Sequence, residues 1–275
     1  MRARFLEAAG LRTRILHEGT GEAVLLLHGL GTTAERWIRN IDPLAKHFAV
    51  FAPDLPGAGF TDDVDYRDTP QAAHLGHLAG LLDALGVQRF SVVGSSYGGL
   101  LAALLALAMP DRVNRVVIVG SGSALHPPEE QKGVLQAAEK NAISALEDGS
   151  YEATRKRMER IVFDPASVPE AALSIQLTAN AWPGRKASAR QLYPAMVRAL
   201  DVGEAQVFSR LEQIAQPTLI VTGRDDIRAS WQCAADASKR IRDCRLEIFD
   251  ACGHGPMLEH PERFNRVVID FLLAK

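Results

Sequence analysis

The chain has 275 residues, of which 47% are hydrophobic and 23% charged, and its formal net charge is −2. A chain of this length and apolar content can bury one large core, which excludes an intrinsically disordered protein. The charge is nearly balanced and no basic stripe is present, so we expect neither a nucleic acid nor an anionic membrane as a partner.

The cysteines and the apolar runs predict where the protein is located. The chain has an odd number of cysteines, three, at Cys233, Cys244 and Cys252, and none are in C-x-x-C spacing. This pattern is typical of reduced thiols rather than of a disulfide framework. The N-terminal segment lacks the apolar core of a signal peptide, and the longest apolar run, 100–109, is about half of a membrane span. We therefore expect a cytoplasmic protein that does not span a membrane.

Short β-rich runs alternate with helical stretches along most of the chain. Two runs on either side of Gly10, at 2–8 and 13–18, predict an antiparallel opening hairpin. Six apolar runs predict strands covered on both faces, at 23–27, 48–52, 90–93, 116–119, 218–221 and 246–249. Helical patterns lie between them, at 33–46, 71–85, 99–108 and 231–240. This alternation predicts an α/β fold with a mostly parallel, doubly wound sheet that binds ligands at the carboxyl ends of its strands.

The alternation stops between about residues 125 and 210. This interval has helical patterns separated by turn signals such as Gly149-Ser150 and Pro183-Gly184, and it contains no strand pattern. We predict a core domain formed by 1–124 and 211–275, into which the helices of 125–210 are inserted.

Residues 89–110, RFSVVGSSYGGLLAALLALAMP, contain the most specific motif of the chain. A β-branched strand leads into Gly94-Ser95-Ser96-Tyr97-Gly98, and an apolar helix follows. Small residues around Ser96 let the chain turn sharply and hold the hydroxyl clear of the sheet. This G-x-S-x-G motif, in its strand-to-helix context, predicts a nucleophilic serine; the alternative is a buried Gly/Ser turn of another α/β protein.

A serine nucleophile needs a base and a group that orients the base, and both follow Ser96 at strand ends. The run TLIVTGRDD ends in Asp225-Asp226, and LEIFDACGHGP carries His254 after the last strand. The order serine, acid, histidine is that of α/β-hydrolases. We prefer Asp226 to Asp225, because the Gly-x-x-Asp spacing carries its side chain past the strand end, and Asp250 ranks third.

Acyl chemistry also needs donors for the developing oxyanion. The backbone N–H of Tyr97, directly after the nucleophile, is the first candidate. The second is the N–H of Leu30, in the His28-Gly29-Leu30-Gly31 loop that follows the first parallel strand. His28 is then expected to be structural.

The histidines and acids outside this set do not predict a metal site. His74 and His77 lie at i and i+3 of a helical pattern without other ligands nearby, so we expect surface residues. The acidic run 62–65 lacks the spacing of a calcium loop. We therefore expect neither a metal nor a cofactor.

These motifs together resemble the α/β-hydrolase superfamily over essentially the full chain. The matching segments are HGLG at 28–31, PDLPGAGFTD at 53–62, GSSYGG at 94–99, GRDD at 223–226 and CGHGPMLEHPERFNRVVIDFL at 252–272. The resemblance implies an eight-stranded core with a helical cap, or lid, inserted after the sixth strand, which is the 125–210 interval. Serine rather than aspartate at position 96 separates the chain from haloalkane dehalogenases and epoxide hydrolases.

A narrower similarity is to the meta-cleavage product hydrolases, which cut C–C bonds in vinylogous diketones. It rests on Asn40 in RWIRN, on FDPASVP at 163–169 and on the closing segment; Gly255 departs from it, since those enzymes carry tryptophan after the catalytic histidine. Those enzymes also have an arginine in the cap that holds the dienoate carboxylate, and Arg185 and Arg190 are the candidates for it in this chain.

The sequence thus predicts a serine hydrolase that acts on a small molecule. Carboxylic-ester hydrolysis ranks first, C–C hydrolysis of dienoate products second, and a non-catalytic ligand receptor of the same fold is the alternative of another class. The predicted substrate contacts are Trp37, Asn40, Trp182, Arg190 and Met257. The sequence yields no prediction of the oligomeric state.

Overall fold

The computed structural model describes residues 1–64, 66 and 69–274. Asp65, part of the acidic run considered above for calcium, lies outside the described residues. Eight strands occur in the described part of the chain: β1 Arg2–Ala8, β2 Leu11–Glu18, β3 Ala23–Leu27, β4 Ala49–Pro53, β5 Phe90–Ser95, β6 Val113–Val119, β7 Thr218–Gly223 and β8 Cys244–Phe249.

The strands form one sheet in the order β1-β2-β4-β3-β5-β6-β7-β8. The β1–β2 and β2–β4 pairs are antiparallel and all other pairs are parallel. The predicted eight-stranded, mostly parallel sheet and its opening hairpin are confirmed.

Eleven α-helices occur in the described residues: α1 Ile41–Leu44, α2 Pro70–Ala84, α3 Tyr97–Ala108, α4 Gly122–Leu125, α5 Pro128–Asp148, α6 Tyr151–Glu159, α7 Glu170–Asn180, α8 Arg185–Arg198, α9 Trp231–Ser238, α10 Pro256–Glu259 and α11 Pro261–Leu273. Short 3-10 helices lie at Ala34–Trp37, Pro165–Ser167, Ala199–Asp201, Gly203–Ala205 and Phe208–Gln213. Among these helices, none combines the length and the apolar character needed to cross a bilayer.

The core lies on both faces of the sheet because successive strand residues point to opposite sides. On β5, Val92 packs in the apolar cluster that includes α2 and α3, whereas Val93 packs in the cluster that includes α1 and α11. Both side chains are fully buried, and burying a valine stabilises the fold by about 1.5–3 kcal/mol. The strand that leads into Ser96 is therefore buried on both faces by this core.

The predicted helix 33–46 is wrong as a continuous element. The structure has the 3-10 helix Ala34–Trp37 and then the single turn α1. All four residues of the 3-10 helix are buried, and the Glu35 carboxylate forms an ion pair with Arg14. The prediction assumed an amphipathic helix with one buried face. This segment is instead buried on every side and is held by the Glu35–Arg14 ion pair, so it does not form such a helix.

Between β6 and β7 the chain forms α4–α8 and four of the 3-10 helices. We call α5–α8, residues 128–198, the inserted helices. They contain two small apolar clusters of their own, one around Leu146 and Tyr193 and the other around Met158 and Leu173. The turn signal at Gly149-Ser150 separates α5 from α6, since Gly149 is left-handed and Ser150 Oγ accepts the Ala153 N–H at 3.1 Å.

Candidate active site

Ser96 occupies the turn between β5 and α3. Its φ of 56° and ψ of −119° place a non-glycine residue in a strained region of backbone space. The turn is held from outside, because the Ser96 N–H donates to the Val119 carbonyl at 2.8 Å and the Ser121 hydroxyl donates to the Ser96 carbonyl at 2.6 Å. The strain that the motif predicts is thus present and is fixed by neighbours on β6 and after it.

Glycines on both sides of Ser96 permit this close packing. A Cβ at Gly94 would lie 1.9 Å from the Gly98 carbonyl oxygen, and a Cβ at Gly98 would lie 2.2 Å from the Leu27 carbonyl oxygen. No side chain fits at either position, which explains the two glycines of the motif.

Asp226 and His254 form a buried pair at the ends of β7 and β8. The distance from His254 Nδ1 to Asp226 Oδ2 is 2.7 Å, and the two side chains are 4% and 0% exposed. The other oxygen, Asp226 Oδ1, accepts the backbone N–H groups of Arg228 and Ala229 at 2.8 and 3.1 Å. The carboxylate is therefore fixed and can orient the imidazole.

The other two candidate acids point elsewhere. Asp225 Oδ2 accepts the Cys252 N–H at 3.3 Å, and Asp250 forms an ion pair with Arg224. Of the three acids considered from the sequence, Asp226 is the one that contacts His254.

A single cavity brings the predicted groups together. Ser96 and His254 line it, as do Leu30 and Tyr97, the two predicted oxyanion donors. His254 Nε2 is buried and has no hydrogen-bond partner among the described residues. Nε2 is the ring nitrogen that does not contact Asp226, so it is available to accept a proton from a group in the cavity.

Glu259, which the sequence analysis did not consider, holds the loop of His254. Its carboxylate accepts the N–H groups of Gly253 and Gly255 at 3.0 and 2.9 Å, and that of Phe163 at 2.7 Å. The loop is also tied to the chain after α6 by the His254 N–H, which donates to the Ile161 carbonyl at 2.7 Å. Its sequence signal was weak: an acid five residues after the histidine, on α10.

Glu259→Ala is expected to lower kcat about tenfold or more with little change in KM, because three backbone donors lose their acceptor and the imidazole loses its fixed position. Stability should fall by about 1–3 kcal/mol. Steady-state kinetics and thermal unfolding measure the two effects. Glu262→Ala, which removes an exposed acid of α11, is the control; equal kinetics for both variants would contradict the positioning role.

Three arginines also line the cavity, and they come from distant parts of the chain. Arg36 lies on the 3-10 helix after β3, Arg157 on α6 and Arg228 on the loop after β7. Arg36 Nη2 donates to the His254 carbonyl at 2.8 Å, and Arg157 Nη2 donates to the Leu30 carbonyl at 3.3 Å. Within the described residues, none of the three forms an ion pair and no acidic side chain lines the cavity.

The three charges affect one another. Burial lowers the pKa of Arg36 to about 10, and burial together with the charge of Arg157 lowers the pKa of Arg228. Repulsion and desolvation both disfavour the charged forms, so an anion that binds in the cavity stabilises them. Arg36 belongs to the RWIRN segment quoted above, but the sequence does not indicate that it shares a cavity with Arg157 and Arg228, since only the fold brings the three together.

None of the five predicted substrate contacts lines this cavity. Trp37 and Met257 are fully buried in the core cluster that includes α11. Asn40 is buried beside them and donates to the Met257 carbonyl and to Asn265 Oδ1. Trp182 is 37% exposed and packs edge-on against Phe60, and Arg190 pairs with Glu147 at the surface.

The predicted surface position of His74 and His77 is wrong. Both are buried: His74 contacts the Tyr97 hydroxyl at 2.7 Å, and His77 contacts Thr13 Oγ1 at 2.8 Å. Burial lowers the pKa of each to about 4, so they are neutral hydrogen-bonding groups. His28 is buried too, and its Nε2 accepts the Leu55 N–H at 2.9 Å, which agrees with the expected structural role.

Known proteins resemble this chain in sequence over most or nearly all of its length. A sequence model of the alpha/beta hydrolase fold matches residues 22–261. The 2-hydroxy-6-oxo-2,4-heptadienoate hydrolase of Pseudomonas putida F1 is 31% identical over 99% of this chain and 96% of its own length. The 2-hydroxy-6-oxononadienedioate/2-hydroxy-6-oxononatrienedioate hydrolase of Burkholderia vietnamiensis G4 is 31% identical, covering 95% and 91% of the two chains.

Solved structures agree with these sequence matches. A meta-cleavage product hydrolase from Pseudomonas fluorescens IP01 superimposes with a TM-score of 0.81 at 28% identity, over 98% of this chain and 97% of the other. The family match covers most of the chain, and the relatives are named as hydrolases. The chain is a hydrolase that belongs to the alpha/beta hydrolase fold family.

Proposed function

We propose that this protein hydrolyses a C–C bond in 2-hydroxy-6-oxo-dienoates, with Ser96 as nucleophile, His254 as base and Asp226 as the group that orients it. The Leu30 and Tyr97 N–H groups stabilise the oxyanion. The segment 125–210 acts as a cap that closes over Ser96 and contributes Arg157 and Tyr193 to the cavity. No cofactor takes part.

The chemistry needs an acyl centre and an electron sink. A proton first moves from the 2-hydroxyl to C5, which leaves ketones at C2 and C6. Ser96 then gives its proton to His254 and attacks C6, and the C5–C6 bond breaks. The released electron pair moves through the C3–C4 double bond to the C2 oxygen, which His254 protonates. Water then hydrolyses the acyl-Ser96, so one water is consumed for one acid and one dienol released.

The three cavity arginines are the observation that carries this proposal. A dienoate has a carboxylate directly beside C2, where negative charge also collects as the bond breaks. Guanidinium groups bind carboxylates through paired N–H donors, and they stabilise the charge that develops at the neighbouring oxygen. Hydrolysis of a neutral ester needs neither the binding of a carboxylate nor the stabilisation of charge at an oxygen beside it.

This ranking reverses the order predicted from the sequence, which placed esters first. The arginine-lined cavity supports an anionic substrate, and the relatives reported above carry dienoate or dienedioate substrates in their names. The triad that would cleave either substrate is the same, so the preference rests on the cavity and on the relatives.

The test is product analysis with 2-hydroxy-6-oxo-2,4-heptadienoate. We expect equal amounts of acetate and 2-hydroxypenta-2,4-dienoate, formed at the rate at which the substrate is lost. A substrate that remains unchanged with the folded enzyme would refute the proposal, as would its loss without acetate, since simple tautomerisation gives that result.

A further inference from the structure

The peptide group between Ser96 and Tyr97 carries the proposed oxyanion donor on one side and a carbonyl on the other. A peptide group is planar, and in its trans form the Ser96 C=O and the Tyr97 N–H point in opposite directions. Tyr97 is the first residue of α3, where a helix leaves its N–H groups unpaired, and it lines the cavity beside Ser96. A group that fixes the carbonyl therefore also fixes the direction of the donor.

Ser121 holds that carbonyl from outside the helix. Its hydroxyl donates to the Ser96 carbonyl oxygen at 2.6 Å. The Gly99 and Leu100 N–H groups, which belong to α3, donate to the same oxygen at 2.9 and 3.3 Å. Ser121 is fully buried just after β6, so its hydrogen bond ties the peptide to the sheet. A hydrogen bond to the carbonyl also polarises the peptide group and makes its N–H a stronger donor.

His74 holds the same residue through the Tyr97 side chain. His74 Nε2 lies 3.1 Å from the Pro56 carbonyl oxygen, which can only accept, so Nε2 carries the proton and Nδ1 is the acceptor. The Tyr97 hydroxyl then donates to Nδ1 at 2.7 Å, and the two rings pack edge-on with centroids 5.4 Å apart. Both side chains are buried. Tyr97 is thereby anchored to α2 by its side chain and to the sheet by its peptide group.

We infer that Ser121 and His74 are positioning residues that together aim the Tyr97 N–H at the oxyanion. This inference rests on the proposed function, in which that N–H stabilises the charge that develops at the attacked carbonyl. Loss of one oxyanion donor costs about a hundredfold to a thousandfold in kcat, because the donor acts through its distance and direction. A donor that is still present but less well aimed and less polarised should cost part of that factor.

The experiment separates the oxyanion donor from the nucleophile with a pair of esters. 4-Nitrophenyl butyrate develops its charge on oxygen, whereas its thiono analogue, with C=S in place of C=O, develops the charge on sulfur, a weak hydrogen-bond acceptor. The ratio of the two kcat/KM values, oxygen ester over thiono ester, therefore measures oxyanion stabilisation. We expect Ser121→Ala to lower this ratio about tenfold, and Tyr97→Phe, which removes the hydroxyl that His74 binds, to lower it about threefold.

Two control variants remove comparable hydroxyl groups elsewhere. Ser238→Ala removes a hydroxyl that donates to the Ala235 carbonyl at 2.8 Å on α9. Tyr66→Phe removes a buried hydroxyl that donates to the Pro56 carbonyl at 3.1 Å. Both should leave the ratio within about twofold of the wild-type value, since neither hydroxyl acts on the oxyanion donor. Circular dichroism verifies that all four variants are folded.

The ratio, rather than the rate alone, decides the outcome. A ratio that Ser121→Ala leaves unchanged would overturn the inference even if both rates fall, because equal losses on the two esters mean that Ser96 has moved. An unchanged ratio in Tyr97→Phe would overturn the role of His74, and hydrolysis of neither ester by the wild-type enzyme would remove the oxyanion site itself. Failure to cleave the dienoate would refute the proposed C–C hydrolysis instead, since these assays do not use it.

Discussion

Ser96→Ala is expected to lower kcat for the dienoate by roughly four orders of magnitude or more, because it removes the hydroxyl proposed to form the acyl intermediate. The fold should survive, since the hydrogen bonds that hold this turn use the Ser96 backbone. Single-turnover kinetics with excess enzyme measures the loss. A variant that retains a tenth of the wild-type rate would show that Ser96 is not the nucleophile.

Two further substitutions separate chemistry from structure at this turn. Ser91→Ala removes a buried hydroxyl from the same strand, near its start, and should keep activity within a few-fold. Ser96→Gly should be inactive but more stable by about 1 kcal/mol, because glycine adopts the positive φ without strain. Chemical denaturation of the three variants measures the change.

Asp226→Asn is expected to lower kcat by about three to four orders of magnitude. The asparagine side chain has one oxygen acceptor and one NH₂ donor, so it has two possible orientations. If its oxygen accepts from His254 Nδ1, its NH₂ group faces the N–H donors of Arg228 and Ala229. If its oxygen accepts from those backbone donors, its NH₂ group faces the histidine. Either orientation leaves donors facing each other, so the imidazole loses its correct orientation or tautomer. The rate at saturating dienoate measures the effect.

The adjacent acid provides the matched control for this variant. Asp225→Asn makes the same chemical change one residue earlier, at an exposed side chain that contacts the Cys252 N–H. We expect activity within about threefold of wild type, since surface contacts of this kind contribute little. Similar losses in both variants would contradict the assignment of Asp226.

The sheet was predictable from the sequence because its signals are local. Short apolar runs such as 90–93 and 218–221 are typical of strands in a sheet that is covered on both faces. The observed β5 and β7 extend these two runs by two residues each. The helix predicted at 33–46 failed because the contacts that shape it are distant in sequence. Its Glu35 pairs with Arg14 on β2, which no periodic pattern reveals.

The candidate site also has a part that the sequence predicts and a part that depends on contacts distant in sequence. Ser96, Asp226 and His254 each follow a strand, so parallel topology alone brings them to one edge of the sheet. The cavity wall depends on how the inserted helices pack, and Arg157 reaches Leu30 across 127 positions of sequence. Large aromatic and sulfur-containing residues such as Trp37 and Met257 were attractive substrate contacts, but such residues usually fill cores, as they do here.

The most direct test of the C–C hydrolase proposal is a comparison of two substrates on one enzyme preparation. It measures kcat/KM for 2-hydroxy-6-oxo-2,4-heptadienoate and for 4-nitrophenyl butyrate, a neutral ester that the same triad could cleave. We predict that the dienoate value exceeds the ester value by about a hundredfold or more, because only the dienoate engages the cavity arginines. A higher value for the ester, with slow or no cleavage of the dienoate, would contradict the account.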